Sequence, residues 1–244
     1  MEKELISIIV PIYNTEKYIE RCARSLFEQT LGDIEYLFID DCTPDKSIEI
    51  LKKVLEEYPQ RKSQVIIHHM DKNSGQAAVR KWGMQNATGD FVIHCDSDDW
   101  VDTDMYRAMY EKAIEENTDV VVCDYIITDG NNVIIKKKGC QSTEIQLFLS
   151  DILFQKSSWS LCNKMFARTT YDRGIIYPKH NMGEDMALTC QLVWNSTSIS
   201  YIGNCYYNYF QNLDSISSRS HGYRANQSFD DAIANVKLLS GIFE

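Results

Sequence analysis

An α/β fold with a mostly parallel central sheet flanked by helices is the architecture this sequence predicts. Three observations predict it. Short apolar runs rich in β-branched residues alternate with segments of helical period over the first hundred residues. Those runs are nearly continuous rather than alternating, the pattern of strands covered on both faces. Two of them end abruptly in acid, at Asp40-Asp41 and at Asp96-Ser97-Asp98-Asp99. Open parallel sheets place ligands at the carboxyl ends of their strands.

The elements follow in order. Leu5–Val10 reads as a first strand stopped by Pro11. Thr15 and Glu16 then open a helix with Ile19, Cys22, Ala23, Leu26 and Phe27 on one face. Tyr36–Ile39 is the second strand, followed by a helix from Lys46 that turns Leu51, Val54 and Leu55 inward and ends near Tyr58-Pro59. Val65–Ile67 is the third strand, Asn73-Ser74-Gly75 a turn, Gln76–Asn86 the next helix, and the run from Phe91 the central strand. A helix over Thr103–Glu116 precedes a strand over Asp119–Ile127, which Asp129-Gly130-Asn131-Asn132 turns back into Val133–Ile135. There the alternation lapses. Ile145–Phe154 and Asp185–Trp194 read as helices, Tyr206–Phe210 as a strand, and Ala225–Ile242 as a final amphipathic helix. No linker, repeat or low-complexity segment interrupts the pattern. Residues 1–244 are therefore expected to form one domain, regular over 1–100 and irregular over 101–244.

Composition narrows the class. The chain is 44% hydrophobic and 25% charged, with a formal net charge of −10, which argues against nucleic-acid binding by bulk electrostatics. No apolar run reaches the length of a membrane span, and Met1-Glu2-Lys3-Glu4 lacks a signal-peptide layout, so a cytoplasmic protein is expected. The eight cysteines form no C-x-x-C pair, the nearest two being Cys190 and Cys205, so reduced thiols are expected rather than disulfides or zinc. His68 and His69 are neighbours in a strand and point to opposite faces, which excludes them as a metal pair.

The chemistry gathers at the acid runs. Three carboxylates in four residues repel one another unless a positive charge neutralises them, and oxygen ligands suit a hard divalent cation such as Mn²⁺ or Mg²⁺. The competing reading is a solvated acidic turn at Asp96, Asp98 and Asp99, with Asp40 and Asp41 capping the next helix. Arg80 lies between the two acid runs and suits a phosphate, while Pro11-Ile12-Tyr13-Asn14 opens on the same edge with a ring suited to stacking on a base. Taken together these residues describe a nucleotide pocket with a metal at its diphosphate end.

The blocks Ser7–Asn14, Phe38–Ser47, Gly75…Arg80…Gly83 and Thr88-Gly89-Asp90…Asp99 resemble family-2 glycosyltransferases of the GT-A fold, in that family's order and spacing. A looser likeness, Trp159…Asn163-Lys164 and then Gly183-Glu184-Asp185, is similar to the acceptor side of its bacterial polysaccharide members. The resemblance implies a UDP-sugar donor, a saccharide or lipid-linked saccharide acceptor, and a divalent metal. It implies that Pro11, Tyr13, Asn14 and Asp41 hold the nucleoside and that Arg80 and Asp96 assist the nucleotide. Asp96 and Asp98 match the Asp-x-Asp metal element, and Asp185 matches the catalytic base of an inverting displacement. Asp40, Asp99, Glu184, His221, Trp159 and Lys164 form an outer set of candidates, His221 as a further metal or diphosphate contact and Trp159, with Trp194, as an acceptor wall or a core residue.

Departures from the family are also visible. Val79 and Lys81 flank the arginine where many relatives carry Ala and Asn, and the Gln-x-x-Arg-Trp element of processive synthases is absent, so one sugar per encounter is expected. A haloacid-dehalogenase-type phosphatase would place Asp-x-Asp on the first strand, and a nicotinamide enzyme would need Gly-x-Gly-x-x-Gly after it; neither pattern is present. A nucleotidyltransferase would want a basic Gly-rich loop there. The remaining alternative is a sugar-nucleotide-binding module without turnover. The final helix could pack on the core, pair with a second copy, or touch the inner membrane face, with core packing the default.

Overall fold

The computed structural model describes residues 5–211 and 223–243. In the first half β1 (Ile6–Ile12), β2 (Ile34–Asp40), β3 (Val65–His69) and β4 (Phe91–His94) lie parallel, in the spatial order β3-β2-β1-β4. The crossovers are α1 (Ile19–Phe27), α2 (Ser47–Glu56) and α3 (Gln76–Asn86). Successive residues of β1 face opposite ways and find different partners. Ile8 and Val10 pack with Cys22, Leu26 and Leu51 from α1 and α2, whereas Ile9 packs with Val79 and Met84 of α3. Both faces of the strand are therefore apolar, which is why these runs do not alternate.

The second half adds β5 (Trp100–Val101), α4 (Met105–Glu116), β6 (Val120–Thr128), β7 (Val133–Lys137), α5 (Ile145–Leu153), β8 (Lys164–Ala167), α6 (Glu184–Trp194), β9 (Ile199–Phe210) and α7 (Tyr223–Phe243). The described strands form one sheet, ordered β3-β2-β1-β4-β8-β6-β9-β5 with β7 branching from β6. The parallel arrangement expected of the first half ends at β8, which runs antiparallel to both β4 and β6. β6 and β9 are parallel again, and β5 and β7 are antiparallel additions, so the whole sheet is mixed. The chain leaves β4 in the middle of the sheet and, with only five residues between, re-enters as β5 beside β9 at the far end. The sheet must curl to permit this, and the acid turn Asp96–Asp99 spans the gap. α7 takes the default expected of it, burying Asn235 and Leu239, with Asn235 donating to the carbonyls of His180 and Met182.

The opposite, amino edge explains the Thr88-Gly89-Asp90 block. Buried Glu35 accepts from Ser7 Oγ at 2.5 Å and from Thr88 N and Oγ1 at 2.9 Å each, and Ser7 Oγ in turn accepts from Gly89 N. A Cβ on Gly89 would stand 2.6 Å from Ser7 N and 2.7 Å from the carbonyl carbon of Ile6, both backbone atoms that cannot swing aside. Gly89→Ala is expected to destabilise the fold by about 2 kcal/mol or more. Urea denaturation checks this, and an unchanged midpoint would show that the edge can open freely.

Candidate active site

Parallel pairing brings the carboxyl ends of β1, β2 and β4 to one edge. β1 runs on into Tyr13, 48% exposed, and Asn14. Asn14 and Cys42 both hold left-handed backbone, at φ of 57° and 55°, a conformation L residues adopt only when neighbours over-determine it. The neighbours are visible. Asn14 N donates to Thr43 Oγ1 at 2.7 Å, and Thr43 N donates to Asp40 Oδ1 at 2.7 Å. The second Asp40 oxygen lies 2.8 Å from His69 Nδ1, while His68 stacks on Trp82, so the two histidines do diverge. Asp41 is buried and accepts from Ser74 N at 2.7 Å and Gly75 N at 2.8 Å, which ties the end of β2 to the start of α3. Gly75 sits at φ 82°, where a side chain would be strained.

α3 then carries Arg80 into the interior, 2% exposed. Its Nη2 donates to Asp96 Oδ1 at 2.9 Å and its Nε to Glu184 Oε1 at 3.0 Å. Gln76, one turn earlier on the same face, donates to Asp96 Oδ1 at 3.2 Å. Burial works against the Arg80 charge, but Glu184 and Asp96 outweigh it and raise its pKa well above the ordinary value. Arg80 Nη1 and Glu184 Oε2 are both buried with no hydrogen-bond partner among the described residues.

Glu184 and Asp185 open α6 after Gly183, which turns at φ 78°. Adjacent helix positions diverge by about 100°, so only Glu184 is drawn against Arg80, and Asp185 stays partly exposed. Burial raises the pKa of both carboxyls, with Arg80 pulling the other way, and Asp185 reaches about 6. One guanidinium thus pairs with two carboxylates, Asp96 and Glu184.

The acid turn distributes its side chains differently. Asp96 goes to Arg80. Asp99 is buried, accepting from Tyr207 OH at 2.5 Å and from Phe210 N at 2.7 Å, with burial and then Asp98 and Asp96 driving its pKa well up. Asp98 stays partly exposed between them, its carbonyl accepting from Arg21 Nη2 at 3.2 Å. The Arg21 guanidinium lies 3.5 Å above the Trp100 ring and 4.9 Å from that of Phe210, a clamp on the back of the turn. Neither Arg21, Gln76 nor Tyr207 stood out in the sequence. Gln76 was detectable from its four-residue spacing to Arg80, whereas Arg21, Trp100 and Phe210 meet only in three dimensions.

The outer candidates divide. Lys164 is fully buried and donates from Nζ to Ser158 O, Ser160 O and Asn163 Oδ1 at 2.7–2.9 Å, while burial lowers its pKa to about 8. It therefore shapes the backbone around Trp159 from below. Trp159 packs partly on the core and partly lines a 290 Å³ cleft with Tyr125, Lys137, Lys138 and Lys156. Trp194 lies at the other end of α6, edge-on to Phe243. His221 lies outside the described residues.

A divalent ion bound together with a nucleotide takes one or two protein carboxylates and completes its shell with phosphate oxygens and water. Asp98 and Asp96 offer that hard-oxygen set, and no group of three or more metal-ligating side chains occurs among the described residues. The residues present fit such an ion. All eight cysteines are free, six of them buried.

This arrangement has known counterparts. The glycosyltransferase EpsJ of Bacillus subtilis (strain 168), itself uncharacterized, is 39% identical over 121 residues, a match covering 50% of this chain and 34% of EpsJ. The chain thus spans about a third of that curated relative's length. S. aureus TarS in complex with UDP-GlcNAc superposes with a TM-score of 0.77 at 21% identity, over 93% of this chain and 64% of that one. The mannosyltransferase PcManGT from Pyrobaculum calidifontis, in complex with GDP-Man and Mn²⁺, superposes with a TM-score of 0.65 at 16% identity, over 96% of this chain and 65% of that one. These likenesses establish the GT-A fold expected from the motifs. The profile of glycosyl transferase family 2 matches residues 7–176, more than half of the sequence and the whole of the acid edge up to Trp100, and the chain belongs to that family.

Proposed function

We propose that the protein is a metal-dependent, inverting glycosyltransferase that moves one sugar from a UDP-sugar to a saccharide or lipid-linked saccharide in cell-surface polysaccharide synthesis. The observation that carries this reading is the Asp96–Arg80–Glu184 network, which leaves Asp98 and Asp185 outside it as two carboxylates with solvent access on one acid-rich edge. UDP-GlcNAc in TarS supports the choice of nucleotide, and Mn²⁺ in PcManGT supports the metal.

Residues 1–100 serve the donor and residues 101–244 the acceptor. Pro11, Tyr13 and Asn14 line the nucleoside end. Asp41 has both oxygens engaged by backbone N–H groups, and each oxygen retains a second lone pair for a base or ribose. Asp98, with Asp96, would hold the divalent ion, which when bound would supply positive charge to the departing diphosphate. Arg80 acts on the nucleotide through Asp96, holding that carboxylate in one orientation. Asp185 accepts the proton of the acceptor hydroxyl as its oxygen bonds to the anomeric carbon. The bond from that carbon to the diphosphate oxygen breaks on the opposite face, so configuration inverts and UDP leaves with the electron pair. Glu184, ion-paired and buried, is the lesser candidate for the base.

Calorimetric titration with UDP and with GDP, each with and without Mn²⁺, tests the donor side. The expected result is UDP binding that requires the ion and that Asp98→Ala abolishes. Binding of neither nucleotide in the presence of Mn²⁺ would return the acid edge to a solvated turn. Normal binding with no UDP release from any UDP-sugar would identify a module that has lost turnover.

A further inference from the structure

Residues 131–138, Asn-Asn-Val-Ile-Ile-Lys-Lys-Lys, are all exposed. They form the tip and returning strand of the β6–β7 hairpin, and β7 pairs with no described strand besides β6. Hydrogen bonds close the tip: Asp129 Oδ1 accepts from the N–H groups of Asn131 and Asn132, and Thr128 Oγ1 donates to Asn132 O. Val133, Ile134 and Ile135 are 52%, 45% and 43% exposed. A second segment joins them. Gln155 turns the chain at φ 59° after α5 and leaves Phe154, 73% exposed, pointing away from the core. Gln155 and Lys156 share the Trp159 cleft with Lys137 and Lys138, so the end of β7 adjoins the turn that follows Phe154. On a chain of net charge −10 that surface is basic, and neither Lys136 nor Lys137 has an ion-pair partner among the described residues.

The occupant follows from charge and shape. Antiparallel pairing of β7 with a second copy, centred on Ile135, would set Lys136 opposite Ile134 and Lys137 opposite Val133 of the other chain, so the ammonium groups would find no countercharge across the strands. A nucleic acid would use the lysines and leave the three aliphatic residues and Phe154 in water. An anionic lipid surface takes both, since the ammonium groups meet headgroups while the apolar side chains enter the interface. We propose that the protein docks on anionic phospholipid bilayers through the β6–β7 hairpin together with Phe154. Docking there sets the Trp159 cleft against the bilayer, where a lipid-linked acceptor would be presented. Only that last consequence rests on the glycosyltransfer reading.

The test is flotation of the full chain with vesicles of phosphatidylcholine alone and of phosphatidylcholine carrying about a third phosphatidylglycerol. Binding is expected only to the second, weakening as salt is raised. Lys136→Gln with Lys137→Gln should lower partitioning about twenty-five-fold, from roughly fivefold per lysine. Ile134→Ser with Ile135→Ser should lower it as well, and UDP binding should stay unchanged in both variants. Absence of binding to either vesicle, or equal binding by the wild type and the lysine variant, overturns the proposal. So does a dimer in sedimentation that Ile134→Lys separates while vesicles stay unbound, which assigns the face to a second copy. Failure of the donor titration with vesicle binding intact would remove the glycosyltransfer reading and leave the docking surface standing.

Discussion

Asp185→Asn is expected to lower the rate of UDP release from a UDP-sugar by about three orders of magnitude, in the range found when a positioned general base is removed. UDP affinity should stay within about twofold of wild type, because the amide keeps the shape of the side chain and its oxygen can still accept from Met186 N. A pH profile gives an independent reading. The carboxyl is held up at about 6 by burial against the pull of Arg80, and only its deprotonated form can accept the hydroxyl proton. The rate should therefore be flat above that pH and fall about tenfold per unit below it. Wild-type turnover in Asp185→Asn, or a profile with no acid limb, would transfer the role to another group. Glu184 would be the first to examine.

Arg80→Leu is expected to destabilise the protein by roughly 3 kcal/mol, the scale found when one member of a buried ion pair is deleted. Glu184 and Asp96 lose their shared cation, and Glu184 has little recourse to water at 3% exposure. The loss sits at the lower end of that range because Glu184, its pKa already raised, can take up a proton. Guanidinium denaturation of Arg80→Leu and of Arg80→Leu with Glu184→Gln checks the mechanism. The second variant should recover part of the loss, since a neutral amide in place of the Glu184 carboxylate no longer demands a countercharge. Equal stability of wild type and Arg80→Leu would mean that the network contributes nothing to folding. The pair between Arg24 and Glu57 makes the comparison instructive. Its geometry is as good, with contacts of 2.8 and 2.9 Å, but both side chains are largely in water and solvent screens the attraction. Arg24→Ala should shift the midpoint far less.

How much of this was legible in the sequence depended on how local the signal was. β1, β2 and β4 announced themselves because each is a run of Ile, Val and Phe closed by acid or proline. β8 did not, because its opening residue is a lysine, and a lysine inside a sheet is counted against a strand until its three carbonyl-type acceptors are seen. β5 is two residues long and carries no period at all. At the site, the residue types on the edge were readable, and their division of labour was not. Arg80 reads in sequence as a phosphate ligand, and the structure buries it among carboxylates 16 and 104 residues away. Asp98 and Asp99 are adjacent and chemically identical, yet one faces the edge and the other is enclosed beneath β9. No neighbour along the chain distinguishes them.

The enclosure of Asp99 also sets an order in time. Its two partners, Tyr207 and Phe210, come 108 and 111 residues later, and the cation–π clamp on the turn needs Phe210 as well. Contacts this remote close their loops late, after the local helices and parallel strands have formed. A chain emerging from the ribosome can build β1 to β4 and display the acids at their carboxyl ends while the turn that carries Asp98 has nothing to rest on. The nascent protein thus exposes these carboxylates before it possesses their geometry, and the finished acid edge arrives with the synthesis of β9.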